Sequence, residues 1–228
     1  MTSGLWIIGY GSLIFKPPPH TEFRLDGYLK GFVRRFWQSS SDHRGTPESP
    51  GRVVTLVSLK DIKANKDLLT SVYTHELRHR SEFDDDADIL EDDLKVWGCA
   101  YYVAPENAEF VRQYLEVREQ DGYTLHNVPF HVTSAIPPSI QSKLKQSETG
   151  EYFLESSIYI GTIDNKSFIG PEEPLVTARV ISGSRGPSGE NSEYLLNLGN
   201  AIKELEARSS MKDYYLQQLV TSVLELSK

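Results

Sequence analysis

The segment 5–13, Leu-Trp-Ile-Ile-Gly-Tyr-Gly-Ser-Leu, places an apolar run directly before two glycines that are one residue apart. The run Leu5–Ile8 is short and ends at glycine, which predicts a β-strand. Gly9 and Gly11 permit a sharp turn in which backbone N–H groups converge on an anion such as a carboxylate. An ordinary glycine-containing turn fits the same residues. The segment lacks the glycine-lysine pair of a P-loop and the third glycine of a dinucleotide-binding fingerprint, so neither nucleotide site is predicted.

Further strands and helices are predicted along the chain. The strands, indicated by β-branched or loosely alternating apolar residues, cover Arg52–Leu59, Val96–Val103, Leu125–Val132, Ser157–Ile163 and Thr177–Ile181. The helices, indicated by apolar residues at three- and four-residue spacing, cover Glu106–Glu119, Glu190–Ala207 and Met211–Leu226. Because strands and helices do not alternate regularly, we expect an α+β fold around a curved sheet or small barrel.

Composition favours a folded globular protein. The 228 residues include 39% hydrophobic and 25% charged residues, which is enough apolar content for a packed core. We expect a single domain over residues 1–228, with a charged insertion near residues 61–95. No apolar run approaches the roughly 18 residues that a membrane span requires. The first residues lack the features of a signal peptide, so we expect a cytoplasmic protein, and its 25.8 kDa also permits nuclear entry.

The net charge of −8 comes from one acidic run, Glu82–Asp93, which contains eight acids and no base. The rest of the chain has no basic excess, so neither a nucleic-acid partner nor a polybasic membrane patch is expected. The lone cysteine, Cys99, excludes an internal disulfide and a multi-cysteine metal site, and we expect it to be a buried, inert thiol.

One short motif suggests a metal site. His75, Glu76 and His79 match the H-E-x-x-H pattern, in which two histidines four residues apart on a helix bind zinc and the glutamate acts as a base. No third ligand follows at the spacing of known zinc enzymes. We therefore expect solvated histidines here and no metal.

Glu119 is a candidate general base. It falls in the last turn of a predicted helix, before Gly122, where the negative end of the helix dipole disfavours an anion. If the side chain also points into a cleft, loss of solvation raises its pKa and makes it a stronger base. The sequence leaves two alternatives open: Glu119 lies in water at a surface helix end, or it pairs with Arg118.

A second glycine-containing turn, at residues 184–189, opens the helix that begins near Glu190. Ser188 is a candidate N-cap for that helix. The turn is either a plain cap or a loop held against an active site. The segments 42–47 and 159–161 either line a pocket or only shape turns.

Taken together, these segments resemble the ChaC-type γ-glutamylcyclotransferases that act on glutathione, and especially the fungal members. The resemblance runs in family order from Trp6 to about Leu196. It is carried by Gly9–Leu13, His43–Thr46, Pro50–Leu56, Val96–Tyr101, Tyr114–Tyr123, Tyr159–Gly161 and Gly186–Leu195. The family fold that it implies is a small mixed β-barrel flanked by helices.

The resemblance also implies a lyase reaction. The γ-glutamyl group of glutathione cyclises to 5-oxoproline and releases cysteinylglycine. The substrate's own α-amine is the nucleophile, so no cofactor or metal is required, and the work is positioning and proton transfer. By this resemblance, Glu119 occupies the position of the general base. Tyr159 occupies a substrate-binding position, and the loop that binds substrate contains Ile7, Ile8, Gly9, Tyr10, Gly11, Ser12 and Leu13.

Alternatives to this function remain open at the level of sequence. Leu13 is typical of the glutathione branch, whereas the branch acting on γ-glutamyl amino acids more often has asparagine there. A protein that binds glutathione without catalysis, or a zinc hydrolase built on His75–His79, are further alternatives. The polar segment 139–150 and the acidic run depart from the family pattern, and the sequence predicts no oligomeric state.

Overall fold

A computed structural model describes residues 4–78, 88–119, 122–207 and 209–228. Its strands are β1 Leu5–Gly9, β2 Thr21–Lys30, β3 Phe32–Ser40, β4 Gly51–Ser58, β5 Lys95–Val103, β6 Thr124–Val132, β7 Lys145–Gln146, β8 Tyr152–Ile160, β9 Arg185–Gly186 and β10 Gly189–Glu190. Its α-helices are α1 Leu59–Ala64, α2 Lys66–Val72, α3 Pro105–Arg118, α4 Pro138–Gln141, α5 Pro174–Gly183, α6 Asn191–Leu205 and α7 Tyr214–Leu226. Short 3₁₀ turns cover Ser12–Ile14 and Glu91–Asp93, and a π-helical turn covers Tyr73–Leu77.

Five strands close into a small barrel in the order β1-β5-β2-β6-β8. Neighbours along this order are antiparallel. The ring closes where β8 pairs back with β1 in parallel, with Ile7 opposite Ser157. This closure confirms the predicted small mixed barrel in an α+β fold. It also brings the end of β1 beside the end of β8, two segments that are far apart in sequence.

Two apolar clusters hold the described elements together. The larger one fills the barrel and the faces of α3, α6 and α7 that pack on it, with Ile7, Leu25 and Leu198 among its buried members. The smaller one lies between the β3–β4 hairpin and helices α1 and α2. Burying each large aliphatic side chain contributes about 1.5–3 kcal/mol. The hairpin also contributes Phe36, Val54 and Leu56 to the larger cluster, and these contacts hold it against the barrel, with β4 beside the end of β1.

Most of the strand and helix predictions agree with this structure, and one is wrong. Residues 177–181, predicted as a strand, lie within helix α5. Thr177, Ala178 and Ile181 are buried on one side of that helix, and Pro174 stands in its first turn, where a helix tolerates proline. The β-branched residues of this short run suggest a strand, but packing against α7 favours the helix. Strands β2 and β3 were not predicted.

The predicted charged insertion contributes to the fold. Its described parts include α1, α2, the π-helical turn and residues 88–93, and Ile89 is buried in the smaller apolar cluster. Residues 79–87, with His79 and most of the acidic run, lie outside the described residues. Glu76 of the H-E-x-x-H pattern is buried, and Arg35 Nη1 lies 2.8 Å from its Oε1. His75, which was expected to be solvated, is half buried, and its ring packs against that of Tyr215.

Candidate active site

The turn after β1 brings free backbone donors to one end of the barrel. Gly11 precedes the 3₁₀ turn Ser12–Ile14, and the first N–H groups of a helical turn have no partner within the turn. Within the described part of the chain, the N–H groups of Gly11, Ser12 and Leu13 donate no hydrogen bond. A Cβ atom on Gly11 would lie 2.7 Å from Val54 Cγ2 and 3.0 Å from the Tyr194 hydroxyl, so this close approach requires glycine.

Two tyrosines join this turn to the end of β8. The buried Tyr10 hydroxyl donates a 2.8 Å hydrogen bond to the carbonyl oxygen of Tyr159. Burial, and then the nearby Glu119 carboxylate, raise the pKa of Tyr10 well above its usual range. Burial also raises the pKa of Tyr159, with Glu116 and Glu119 adding to the effect. Both hydroxyls therefore stay protonated at neutral pH. The single proton of Tyr10 is already donated to the Tyr159 carbonyl, so of the two hydroxyls the one on Tyr159 is available as a hydrogen-bond donor.

Glu119 lies at the C-terminal end of α3, and its N–H donates to the Leu115 carbonyl at 2.7 Å. Its side chain is only 18% exposed. Burial raises the pKa of this carboxyl, while the charges of Arg118 and His43 lower it in part. The net shift is upward. A carboxylate with a raised pKa is a stronger base than one in water.

Arg118 connects Glu119 to the turn after β1. Its Nη2 donates to Ser12 Oγ at 2.9 Å, and its Nη1 donates to the Lys16 carbonyl at 3.0 Å. Its Nε lies 3.4 Å from Glu119 Oε1. Of the two alternatives for Glu119, the structure has the pairing with Arg118. The carboxylate does not lie in open water but lines a cleft, as the candidate base requires.

The cleft consists of two chambers that meet at Glu119. The inner chamber, about 40 Å³, is lined by Ile8, Tyr10, Gly11, Ser12, Leu13, Val54, Glu119, Tyr123, Tyr159 and Tyr194. The outer chamber, about 300 Å³, is lined by Ser12, Lys16, Pro17, His43, Arg44, Val53, Tyr114, Arg118, Glu119, Tyr123, Ser188 and Tyr194. A narrow pocket that opens into a wider one suits an elongated ligand.

The structure brings most of the predicted site residues together. Ile8, Tyr10, Gly11, Ser12, Leu13, Tyr159 and Glu119 all line the inner chamber. Ile7 and Gly9 lie behind it within β1, opposite Tyr101 and Cys99 of β5. The buried Cys99 has a pKa raised by burial to about 11, which agrees with the predicted inert thiol.

Three residues that line the inner chamber were not predicted as site residues: Val54, Tyr123 and Tyr194. The Tyr123 hydroxyl donates to the Val54 carbonyl at 2.7 Å, and the backbone of Val54 also hydrogen-bonds the Tyr194 hydroxyl. Both tyrosines occur in segments that carry the family resemblance, but nothing in the local sequence indicates that they meet at β4. Their convergence depends on how the β3–β4 hairpin packs.

Asn191, which follows the turn at residues 184–189 and begins α6, connects this part of the chain to β4. The Asn191 side chain is fully buried, and its Oδ1 accepts from the Arg52 N–H at 2.6 Å while its Nδ2 donates to the Arg52 carbonyl at 2.7 Å. Ser188 does not cap α6, because the helix begins at Asn191 and its N-cap residue is Glu190. Its hydroxyl instead lies 3.1 Å from His43 Nδ1 at the rim of the outer chamber.

Known proteins are similar to this chain in fold and in sequence. The model of the family described as "ChaC-like protein" matches residues 5–226. The chain therefore belongs to the ChaC-like protein family.

Several relatives carry a specific name. A Saccharomyces cerevisiae protein named "Glutathione-specific gamma-glutamylcyclotransferase" is 43% identical, with 97% of this chain and 96% of the relative covered. A Schizosaccharomyces pombe protein with the same name is 34% identical over 96% of this chain and 92% of its own length. The crystal structure of the yeast glutathione-specific cyclotransferase matches with a TM-score of 0.84 at 42% identity, covering 99% of this chain and all of that one.

Two further observations concern metal ions and membrane-spanning helices. No set of three or more His, Cys, Asp or Glu side chains is placed to hold a metal ion within the described ranges. Among those same residues, no helix combines the length and the apolar character that crossing a membrane requires.

Proposed function

We propose that this protein is a glutathione-specific γ-glutamylcyclotransferase, a lyase that converts glutathione to 5-oxoproline and cysteinylglycine. One observation carries the proposal: the Glu119 carboxylate lies where a narrow chamber with free N–H donors meets a wider one. The names of its ChaC-like relatives support the same activity.

The inner chamber is proposed to hold the γ-glutamyl group. The N–H groups of the turn after β1 can bind the α-carboxylate of the substrate or the oxyanion that develops on its γ-carbonyl. The Tyr159 hydroxyl, which stays protonated, adds a donor to the lining of this chamber, and the Tyr10 hydroxyl, whose proton goes to the Tyr159 carbonyl, offers an acceptor oxygen. These contacts would hold the α-amine near the γ-carbonyl carbon of the same molecule, so that fewer bond rotations have to be frozen on the way to the transition state.

The reaction then moves two protons from the α-nitrogen to the departing nitrogen and exchanges one C–N bond for another. Glu119 takes a proton from the α-ammonium group, and the free amine attacks the γ-carbonyl carbon. A C–N bond forms within the five-membered ring, and the C–N bond to cysteine breaks. Glu119 returns this proton to the departing amide nitrogen. After the attack the ring nitrogen still carries two protons, and it loses one of them, again by way of Glu119, to the amine of cysteinylglycine, so that the lactam is neutral and the amine leaves as an ammonium group. All atoms of the two products come from glutathione, and Glu119 ends as it began.

The test is a product assay on the purified protein with reduced glutathione. We expect 5-oxoproline and cysteinylglycine in equal amounts, in the presence or absence of EDTA. Glu119→Gln keeps the size of the side chain but removes the base, and we expect kcat to fall by about 10²–10⁴-fold. Glu116→Gln, an exposed carboxylate on the same helix, is the matched control and should retain activity.

The same assay separates the alternatives. Products from γ-glutamyl amino acids at equal or better kcat/KM would assign the broader branch. Release of glutamate in place of 5-oxoproline, abolished by EDTA, would point to a metal-dependent hydrolase instead. Glutathione binding without product, in a folded wild-type protein, would leave a binding protein. Full activity of Glu119→Gln would retain the reaction and reject its base.

We also propose that the enzyme acts in the cytoplasm. Its substrate is the main small thiol of that compartment, and its one cysteine is buried and free. Imaging of a fluorescent fusion, checked by cell fractionation, tests this location.

A further inference from the structure

The outer chamber carries an excess of positive charge. Lys16, Arg44 and Arg118 line it together with His43, and Glu119 is the one carboxylate in its described lining. This charge distribution differs from that of the inner chamber, whose lining has Glu119 but no lysine or arginine. The outer chamber therefore favours an anionic group, in a position beyond the reacting atoms.

Most of these cations already have partners. Arg44 Nη1 donates to the Glu190 carbonyl at 2.7 Å and to Glu193 Oε2 at 3.1 Å. Arg118 is shared among Ser12, Lys16 and Glu119, as described above. His43 Nε2 lies 3.4 Å from Asp42 Oδ2. These contacts use the charges of the three side chains to hold the protein itself together.

Lys16 is different. Its ammonium group forms no ion pair or hydrogen bond with any residue that the structure describes. Its backbone is held on both sides, because its N–H donates to the Ser12 carbonyl at 2.8 Å and its carbonyl accepts from Arg118 at 3.0 Å. Pro17 and Pro18 follow directly and restrict the backbone further. The position of the Lys16 backbone is thus fixed at the chamber rim, while its charge is free.

We infer that the outer chamber binds the cysteinylglycine half of glutathione and that the Lys16 ammonium binds its terminal carboxylate. This inference rests on the proposed function. If Glu119 acts at the scissile amide, the γ-glutamyl group lies in the inner chamber, and the rest of the substrate must occupy the outer one. The far end of that substrate is a carboxylate, the group that an unpaired ammonium recognises.

Such a contact makes Lys16 a specificity-determining residue. In a γ-glutamyl amino acid the terminal carboxylate comes one residue earlier, so it ends closer to Glu119 and further from the rim. Lys16 then contributes binding to glutathione that the shorter substrates do not receive. Discrimination arises as a difference in binding between two substrates that share the same reacting group.

The experiment combines a variant with a substrate analogue. Lys16→Met keeps most of the apolar stem and removes the charge, and glutathione glycinamide keeps the substrate's size and removes the terminal charge. For the wild type, we expect KM for the amide to exceed KM for glutathione by about fivefold to tenfold, the effect of one partly exposed charged contact. Lys16→Met should raise KM for glutathione by the same factor and leave KM for the amide unchanged. Because the contact lies away from the reacting atoms, kcat should change little.

Two controls make the result specific. Lys66→Met removes an exposed lysine on α2, outside the cleft, and should alter neither KM value. An analogue with a methyl group in place of the cysteine thiol should respond to Lys16→Met as glutathione does. A different response would assign Lys16 to the thiol and overturn the inference.

The remaining outcomes are also decisive. Equal KM values for glutathione and its amide in the wild type would overturn the inference while 5-oxoproline formation upheld the proposed function. Equal losses on both substrates in Lys16→Met would also overturn it. If the wild type formed no 5-oxoproline from either substrate, the proposed function and this inference would fail together.

Discussion

Replacing Arg118 should move the pH profile of the enzyme, because this residue is the nearest cation to the proposed base. Arg118 Nε lies 3.4 Å from Glu119 Oε1, and after burial it is the largest influence on the pKa of Glu119. Arg118 holds that pKa down. In Arg118→Met the opposing charge is gone and burial acts alone, so the pKa of Glu119 should rise.

The size of the rise follows from the geometry. At this separation, two unit charges attract by about 5 kcal/mol at an effective dielectric constant of about 20 and by about 1 kcal/mol in water. Both side chains are 18% exposed, which places the pair between these limits. A change of about 1–3 kcal/mol corresponds to about one to two pKa units. A base works only when deprotonated, so the acid limb of kcat/KM should shift to higher pH by that amount.

The assay is the pH dependence of kcat/KM for 5-oxoproline formation. Arg118→Met also frees Ser12 and Lys16, so the plateau should fall as well, and the limb is the informative quantity. Ser12→Ala removes the Arg118–Ser12 bond but leaves the charge of Arg118 beside Glu119, so it should lower the plateau and should not move the limb to higher pH. Arg112→Met, on the exposed face of α3, should change neither. A uniform loss of activity at every pH in Arg118→Met would refute the reasoning, because it would mean that Arg118 only positions the turn.

Three further predictions concern the stability of the fold and the geometry of the turn after β1. Asn191→Ala should lower the free energy of unfolding in urea by about 2–4 kcal/mol, because both backbone groups of Arg52 lose their partner; a loss below about 1 kcal/mol would contradict this. Burial raises the pKa of Glu172, but hydrogen bonds led by Arg52 outweigh it and leave the pKa low, so its contribution to stability is present at pH 7 and lost as pH falls below the usual glutamate range. Glu172→Gln should therefore destabilise by about 1–3 kcal/mol at pH 7 and by less near pH 3, whereas equal losses would reject the ion pair. Gly11→Ala should lower kcat/KM by about 10²-fold, because its Cβ displaces the turn, and Gly183→Ala, whose Cβ meets nothing, should leave activity intact.

The sequence predicts the elements whose local pattern matches their final surroundings. β1, β5, α3 and α6 have apolar residues at the spacing of their buried faces, and each was predicted within a few residues of its observed bounds. The order of the elements left a curved sheet or a small barrel open, and the family resemblance selected the small mixed barrel, because no local pattern indicates that β8 pairs back with β1.

Strand β3 was missed because its buried positions include residues that usually lie outside. Arg34 and Arg35 of β3 are fully buried. Arg34 reaches the Trp97 carbonyl and Asp213, and Arg35 pairs with Glu76. A buried charge is tolerated only with such partners. Since the partners lie more than 40 residues away, a local reading of the chain cannot find them.

The chemistry of Glu119 depends in the same way on distant residues. The sequence offered water or Arg118 as its surroundings, and a full pairing with Arg118 would have made it a weak base. The fold avoids that outcome by dividing the donors of one side chain. Nη1 and Nη2 of Arg118 are committed to Lys16 and Ser12, which leaves only Nε, at 3.4 Å, for the carboxylate. Burial then outweighs the remaining attraction, and the pKa of Glu119 is raised. The turn after β1 thus presents free N–H groups and, by occupying Arg118, also leaves the adjacent carboxylate with a raised pKa.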